Sequence, residues 1–239
     1  GDLNAFTNKE ETVVYSAFLA EHFPRAVELL ADIVFHSTFP QAEIDKEVEV
    51  IIDEIQSYED SPCELIFDDF EELIFPNHPL GRNILGKPDL LHQFKTEDAL
   101  RFTHRYYRPE NVIFFVQGNV DFKRVVRLVE KATADLNSSA SMFERKHPDI
   151  YVPKTLTLHR DTHQAHVMIG SRGYDAHNEK RTALYLLNNI LGGPGMNSRL
   201  NVALRERSGL VYNVEANLTS YTDTGVFCIY FGTEHDHVE

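Results

Sequence analysis

The sequence is poor in cysteine and has no long apolar run. Its two cysteines, Cys63 and Cys228, lie far apart, which excludes a disulfide-rich scaffold and a cysteine-rich metal site. No stretch approaches the ~20 apolar residues of a membrane helix, and Gly1-Asp2-Leu3 does not begin a basic segment followed by an apolar one. We therefore expect no transmembrane segment and no membrane partner, and the compartment stays open between cytoplasm and periplasm.

Positive charge is scarce as well. Lysine and arginine total 23 against 37 aspartates and glutamates, so the formal net charge is −14. A chain this acidic repels a phosphate backbone, which argues against nucleic acid as a partner. The same charge would suit a carboxylate-rich module that binds cationic peptides, and salt-insensitive binding would count against that function.

The composition that remains is that of an ordinary globular protein. The chain has 239 residues, of which 42% are hydrophobic and 25% charged. This length favours two domains. Residues 137–153 lose helical and strand periodicity and are polar, so we place a linker there, between domains at residues 1–136 and 154–239.

Helices and strands alternate along the chain. Among the expected strands are residues 112–117 and 155–170, both rich in residues that favour strands. A hairpin expected within residues 3–19 resembles one expected within residues 211–231. This likeness indicates an internal duplication in which the first half lacks its opening elements and the second half its closing ones.

A helix after Pro40 carries two acids, Glu47 and Glu54, that could serve a metal. Seven residues are close to two helical turns, so both carboxylates lie on the same side of the apolar stripe that contains Val48 and Ile55. This position predicts partial burial, which a metal ion or a cationic partner would compensate. The alternative is an acidic amphipathic helix whose carboxylates stay hydrated.

Arg205 and Tyr212 form a second candidate pair. Arg205 ends a helix expected at residues 198–208, Gly209 turns the chain at the C′ position, and Tyr212 opens a strand. An arginine and a phenol that converge beside the turn can hydrogen-bond a carbonyl that becomes an oxyanion. The alternative is an arginine on helix-terminal carbonyls and a tyrosine packed in a sheet.

Two other patterns give weaker evidence of a functional site. The glycine-rich loop at residues 192–197 fits neither nucleotide-binding fingerprint, which favours a helix-to-helix connection over a phosphate site. His163 and His166 would face opposite sides of a strand and cannot share one zinc ion, so these two and His159 are interpreted as ordinary histidines.

The order of the motifs resembles the insulinase and mitochondrial processing peptidase family of zinc metallopeptidases. The motifs that carry the likeness run along nearly the whole chain. They are Gly1-Asp-Leu-Asn-Ala-Phe-Thr7, Glu47-Val-Glu-Val-Ile-Ile-Asp-Glu54, His78-Pro-Leu-Gly-Arg82, Gln164-Ala-His166, Gly192-Gly-Pro-Gly-Met-Asn-Ser-Arg-Leu200 and Leu204-Arg-Glu-Arg-Ser-Gly-Leu-Val-Tyr212.

This resemblance implies an α+β fold of two similar domains, each a mostly antiparallel sheet backed by helices, around a chamber for peptides. It implies that Glu54 is the third zinc ligand and Glu47 an auxiliary acid. Asn4, Ala5 and Phe6 would form the edge strand that pairs with the substrate backbone. Arg205 and Tyr212 would contact the substrate carbonyl near the metal, and pairing with a second subunit, as a homodimer or heterodimer, is expected.

One departure from the family pattern dominates. No H-x-x-E-H motif occurs, and the segment that comes nearest, Phe18-Leu-Ala-Glu21-His22, has phenylalanine at the first ligand position. In the family the motif precedes the Asn4 strand. Glu54 alone cannot hold a catalytic zinc. We therefore predict a fragment of a zinc endopeptidase that is itself inactive and binds no zinc, or else a non-catalytic peptide-binding or scaffold subunit.

Overall fold

The computed structural model describes residues 1–136 and 145–238. The chain divides into two compact units, Gly1–Ile52 with Gly86–Glu144, and Asp53–Leu85 with Arg145–Glu239. The break after residue 144 falls within the predicted linker, of which residues 137–144 lie outside the described residues. Residues 53–85 belong to the second unit. The predicted domains, residues 1–136 and 154–239, describe the two repeats inferred from the sequence. That division stays a prediction.

The first unit contains an antiparallel hairpin and several helices. Strands β1 (Asp2–Thr7) and β2 (Thr12–Ala17) pair over their whole length, with Asn4 opposite Tyr15 and Ala5 opposite Val14. The Phe6 ring also packs edge-on against the Tyr15 ring, with 6.3 Å between the ring centroids. The hairpin expected near the start of the chain is thereby confirmed. The elements of this unit are β1 (Asp2–Thr7), β2 (Thr12–Ala17), α1 (Phe23–Phe35), the start of α2 (Gln41–Glu59), α4 (Pro88–Leu91), α5 (Thr96–Tyr106) and α6 (Phe122–Ala132).

The second unit is a three-stranded antiparallel sheet with helices against it. Its elements are the end of α2, α3 (Pro62–Ile74), β3 (Ala165–Gly173), α7 (Arg181–Gly192), a π-helix (Asn201–Arg207), β4 (Val211–Ser220) and β5 (Gly225–Thr233). The strand order is β3-β5-β4, which leaves β3 and β4 as edge strands among the described residues. The fold is therefore α+β with antiparallel sheets, as the sequence predicts.

The core of the second unit joins α3 to one face of this sheet. Phe70 and Ile74 of α3 pack with Val226 and Cys228 of β5, and all four are at least nine-tenths buried. Burial raises the pKa of the Cys228 thiol to about 12, so this cysteine is a packing residue and not a nucleophile. The hydroxyl of Tyr221 donates to Glu71 Oε1 at 2.7 Å, which ties the end of β4 to the helix.

Two predicted strands are wrong in whole or in part. Residues 112–117 form no strand, and Ile113 and Phe115 are 94% and 80% exposed. Of residues 155–170, only the part from Ala165 onward is in a strand, β3. A strand requires a paired neighbour, and neither residues 112–117 nor residues 155–164 find one in the part of the chain that the structure describes, so strand-favouring composition alone is insufficient.

None of the helices in the described ranges is both long and apolar enough to cross a membrane.

Candidate functional site

The predicted substrate strand is exposed along its whole length. All six residues of β1 are exposed, and within the described residues its sheet has only two strands, so one backbone edge of β1 has no partner strand. An extended peptide can pair with such an edge. The side chain of Asn4 already accepts a hydrogen bond from the Ala5 amide at 2.8 Å. A peptide that used this amide would have to displace it.

The predicted acids lie on α2, as expected, but their environment differs. Val48 and Ile55 are 7% and 9% exposed, whereas Glu47 and Glu54, one position before each, are exposed. The prediction of partial burial is therefore wrong for this chain, and the alternative, an acidic amphipathic helix with hydrated carboxylates, is what the structure has. Packing covers only the centre of the apolar stripe, and the positions beside it stay hydrated.

The residues present do not fit a catalytic zinc ion by themselves. Such a site needs three protein ligands. The described residues contain no group of three histidine, cysteine, aspartate or glutamate side chains that could hold a metal. Glu54 supplies one carboxylate, and a zinc site that includes it needs further ligands.

Arg205 projects from an unusual helical segment. Residues Asn201–Arg207 form a π-helix, in which each turn is wider than in an α-helix. Gly209 then adopts a positive φ of 60°, and the Leu210 amide donates to the Leu204 carbonyl at 2.9 Å. These features confirm the predicted glycine stop at C′. The π-type turn itself is not predictable from apolar spacing.

Arg205 and Tyr212 have separate partners. The Tyr212 hydroxyl donates to Glu234 Oε1 at 3.0 Å, and this bond raises the pKa of the phenol. The Arg205 Nε lies 4.0 Å from Glu206 Oε1, an ion pair between two half-exposed side chains. In the described part of the molecule no hydrogen bond joins Arg205 to Tyr212. Their convergence on a substrate carbonyl remains a prediction.

Arg205 instead lines a polar pocket of about 430 Å³ within the second unit. Two buried polar side chains that the sequence analysis did not single out also line it, Asn188 of α7 and Ser198, which directly follows the glycine-rich loop. They are 7% and 6% exposed, and Asn188 Oδ1 and Ser198 Oγ have no hydrogen-bond partner among the described residues. Buried polar atoms are normally paired, so these two oxygens are exceptions in the packing beside the pocket.

Glycine 192 allows α7 to approach the edge strand β4 that forms another wall of this pocket. A Cβ atom on Gly192 would lie 2.6 Å from the backbone nitrogen of Ala216, which is closer than side-chain carbons approach backbone atoms.

The loop from Gly192 to Ser198 is the predicted helix-to-helix connection, since it links α7 to the next helical segment. We name the space lined by Asn188, Ser198 and Arg205 the polar pocket.

Within residues 1–136 and 145–238, His159, His163 and His166 belong to no group that could hold a metal ion. His163 precedes β3, and only His166 lies on the strand. The prediction that these two histidines face opposite sides of one strand is therefore wrong. His166 Nδ1 lies 2.9 Å from the Tyr230 hydroxyl, and its ring stacks on that of Tyr230. Burial lowers the pKa of His166, which keeps the imidazole neutral near pH 7.

Comparison with known families decides which family the chain belongs to. The profile described as "Peptidase M16 inactive domain" matches residues 93–239, and that described as "Insulinase (Peptidase family M16)" matches residues 1–88. The chain belongs to the peptidase M16 family. The resemblance inferred from the motifs is thereby confirmed.

Relatives and solved structures agree with this M16 membership. A Bacillus subtilis (strain 168) protein named "Uncharacterized zinc protease YmxG" is 38% identical over 233 residues, which cover 98% of this chain and 56% of that protein. The chain therefore spans little more than half the length of this relative.

Two solved structures share the M16 fold at lower identity. The peptidase M16 inactive domain from Pseudomonas fluorescens has a TM-score of 0.83 at 20% identity and covers 98% of this chain and 57% of that one. A chain of complex III2 from Candida albicans has a TM-score of 0.82 at 16% identity, with 97% and 57% covered. At these identities, the likeness concerns the fold alone.

Proposed function

We propose that this M16 chain is part of a zinc-dependent metalloendopeptidase and supplies surfaces that hold the peptide substrate. The observation that carries the proposal is the polar pocket lined by Arg205, Asn188 and Ser198. A polypeptide offers N–H donors and C=O acceptors in regular alternation, which suits a polar lining of this kind. Membership of a family whose relatives are named zinc proteases supports the same conclusion.

The pocket is suited to polar backbone groups more than to an apolar side chain. Asn188 and Ser198 contribute polar side chains to its lining, and Arg205 contributes donors and a positive charge. The exposed edge of β1 offers a second place for an extended segment, through Asn4, Ala5 and Phe6.

The zinc chemistry belongs to the whole protein in this proposal. Glu54 would be one ligand and Glu47 an auxiliary acid, and the remaining ligands would lie outside residues 1–239. Because Glu54 is one carboxylate and the described residues form no three-ligand group, the 239-residue chain is expected to be inactive. Stoichiometric zinc and chelator-sensitive peptide cleavage by this chain alone would contradict that expectation.

The test uses the full-length protein with a quenched fluorescent peptide. Glu54→Gln should remove both bound zinc and cleavage, whereas Glu49→Gln, on the same helix, should retain both. Arg205→Gln should lower kcat/KM by about tenfold or more, since it removes a charged hydrogen-bond donor worth about 1.5–3 kcal/mol. Arg207→Gln is its control. Equal zinc content and activity in the Glu54 and Glu49 variants would overturn the proposal.

A second function is a peptide-binding or scaffold subunit without catalysis. The match of residues 93–239 to the profile described as "Peptidase M16 inactive domain" motivates it. The sequence that precedes residue 1 in the full protein separates the two functions. An intact H-x-x-E-H motif supports the peptidase, and substituted ligand positions support the scaffold.

A further inference from the structure

A separate groove of about 540 Å³ lies wholly within the second unit, away from the residues of the polar pocket. One wall is helix α3, where Leu65, Ile66, Phe70 and Leu73 recur at helical spacing. Met168 and residues 155–160 also line it. This volume is in the range of pockets that take small organic molecules or short peptides.

A carboxylate interrupts the apolar wall. Asp69 falls on the same helical stripe, between Ile66 and Phe70, and lines the groove. Its carboxylate has no hydrogen-bond or ion-pair partner among the described residues, and burial raises its pKa against the opposing effect of Arg160. An unpaired, partly buried carboxylate is unfavourable in the absence of a cation. The groove therefore has a place for a positively charged group.

A guanidinium lines the same groove. Arg160 acts electrostatically on Asp69 but does not approach within the distance of an ion pair. Both charged side chains thus line one cavity that apolar side chains also line. A ligand that carries an ammonium and a carboxylate at opposite ends of an apolar body matches this arrangement.

We propose that the groove binds short apolar peptides by their free ends, with the ammonium at Asp69, the carboxylate at Arg160 and the side chains against α3. This site is distinct from the surfaces proposed to hold a substrate for cleavage. Its ligand requires free termini, whereas a protein substrate in mid-chain has none at the bond to be cut. The site needs no zinc.

The 239-residue chain is titrated calorimetrically with the tripeptide Leu-Ala-Leu, with its N-acetylated form and with its C-amidated form. Each blocking group should weaken binding at least about tenfold, because it removes one charge-assisted contact. Ser-Gly-Ser, which has the same termini without apolar side chains, should also bind at least about tenfold more weakly. Failure of Leu-Ala-Leu to bind, or binding that neither blocking group changes, would overturn the proposal.

Variants of the chain assign the two ends. Asp69→Asn should weaken binding of Leu-Ala-Leu and leave that of the N-acetylated peptide unchanged, and Arg160→Gln should do the same for the C-amidated peptide. Glu64→Gln, an exposed position of α3, and Lys154→Gln are the matched controls. Arg205→Gln should not affect this binding, which separates its outcome from that of the proposed peptidase function. Circular dichroism checks the fold of each variant. If a variant does not fold, the comparison of free and blocked peptides on the unaltered chain still tests the proposal.

Discussion

Arg145 and Asp223 form a two-pronged ion pair in which Nε donates to Oδ2 at 2.8 Å and Nη2 donates to Oδ1 at 2.9 Å. The aspartate side chain is only 6% exposed, and Arg145 holds its pKa below the ordinary value. The pair joins the start of the 145–161 segment to the turn between β4 and β5. A bidentate bond of this kind is stronger than a bond between neutral groups.

Asp223→Asn should lower the free energy of unfolding at pH 7 by about 2 kcal/mol, the usual worth of a hydrogen bond to a charged group. Because the folded-state pKa lies below the unfolded one, the contribution is fully present above about pH 4 and is lost as the pH falls further. Urea unfolding at pH 7 and pH 3 measures both effects. If the free energy of unfolding falls equally between pH 7 and pH 3 in wild type and variant, this prediction is contradicted. Glu206→Gln, which removes an exposed ion pair, serves as control.

Gly192→Ala should destabilise the second unit by about 1–3 kcal/mol, since the new methyl group meets the Ala216 backbone and forces α7 away from β4. Gly173→Ala is the matched control. Its nearest atom would be Leu218 Cδ1 at 3.3 Å, the end of a side chain that can move, so its cost should be smaller. Thermal unfolding of both variants compares them, and an equal loss would contradict the close-contact argument.

Ser198→Ala should leave stability unchanged or raise it, because the hydroxyl is buried without a partner and its removal deletes only a desolvation cost. Asn201→Ala should behave oppositely. Its Nδ2 donates to the Met196 carbonyl at 2.6 Å, so that change costs about 1 kcal/mol or more. Chemical unfolding of the two variants checks the contrast. A loss of stability in Ser198→Ala would mean that the hydroxyl has a partner in solution.

His166 should make the fold sensitive to mild acid. Its folded-state pKa is lowered by burial, so the unfolded state takes up the proton first as the pH falls below the ordinary value of 6.5. The stability it contributes is present above that value and declines below it. His166→Gln should therefore show a smaller drop in Tm between pH 7.5 and pH 5.5 than wild type. His163→Gln, an exposed position, should resemble wild type.

The sequence predicts local structure best where one helix or one hairpin decides the outcome. The stripe of α2, the glycine stop at Gly209 and the hairpin of β4 and β5 all follow from short-range rules and are all present. Residues 112–117 fail because a strand depends on a distant partner that composition does not reveal. The burial of Glu47 and Glu54 fails for a related reason, since spacing gives their direction but not what packs there.

The polar pocket and the groove were beyond sequence reasoning. Asn188 and Ser198 are ordinary residues whose significance lies in having no partner, a property of three-dimensional packing. Asp69 carries a faint signal, since it is a charged residue on an apolar helical stripe. Local patterns of that type are common on surface helices, so only the cavity beside it gives the residue meaning.

The π-helix at Asn201–Arg207 has a consequence for how this stretch tolerates change. A π-type turn holds about one residue more than an α-type turn. Loss of a single residue ahead of Arg205 would let the backbone relax to ordinary α geometry and would leave the guanidinium within roughly 30° of its present azimuth, because the tighter turn compensates for the missing residue. This stretch therefore tolerates a one-residue deletion better than an α-helix does, where the same deletion would rotate every following side chain by roughly 100°.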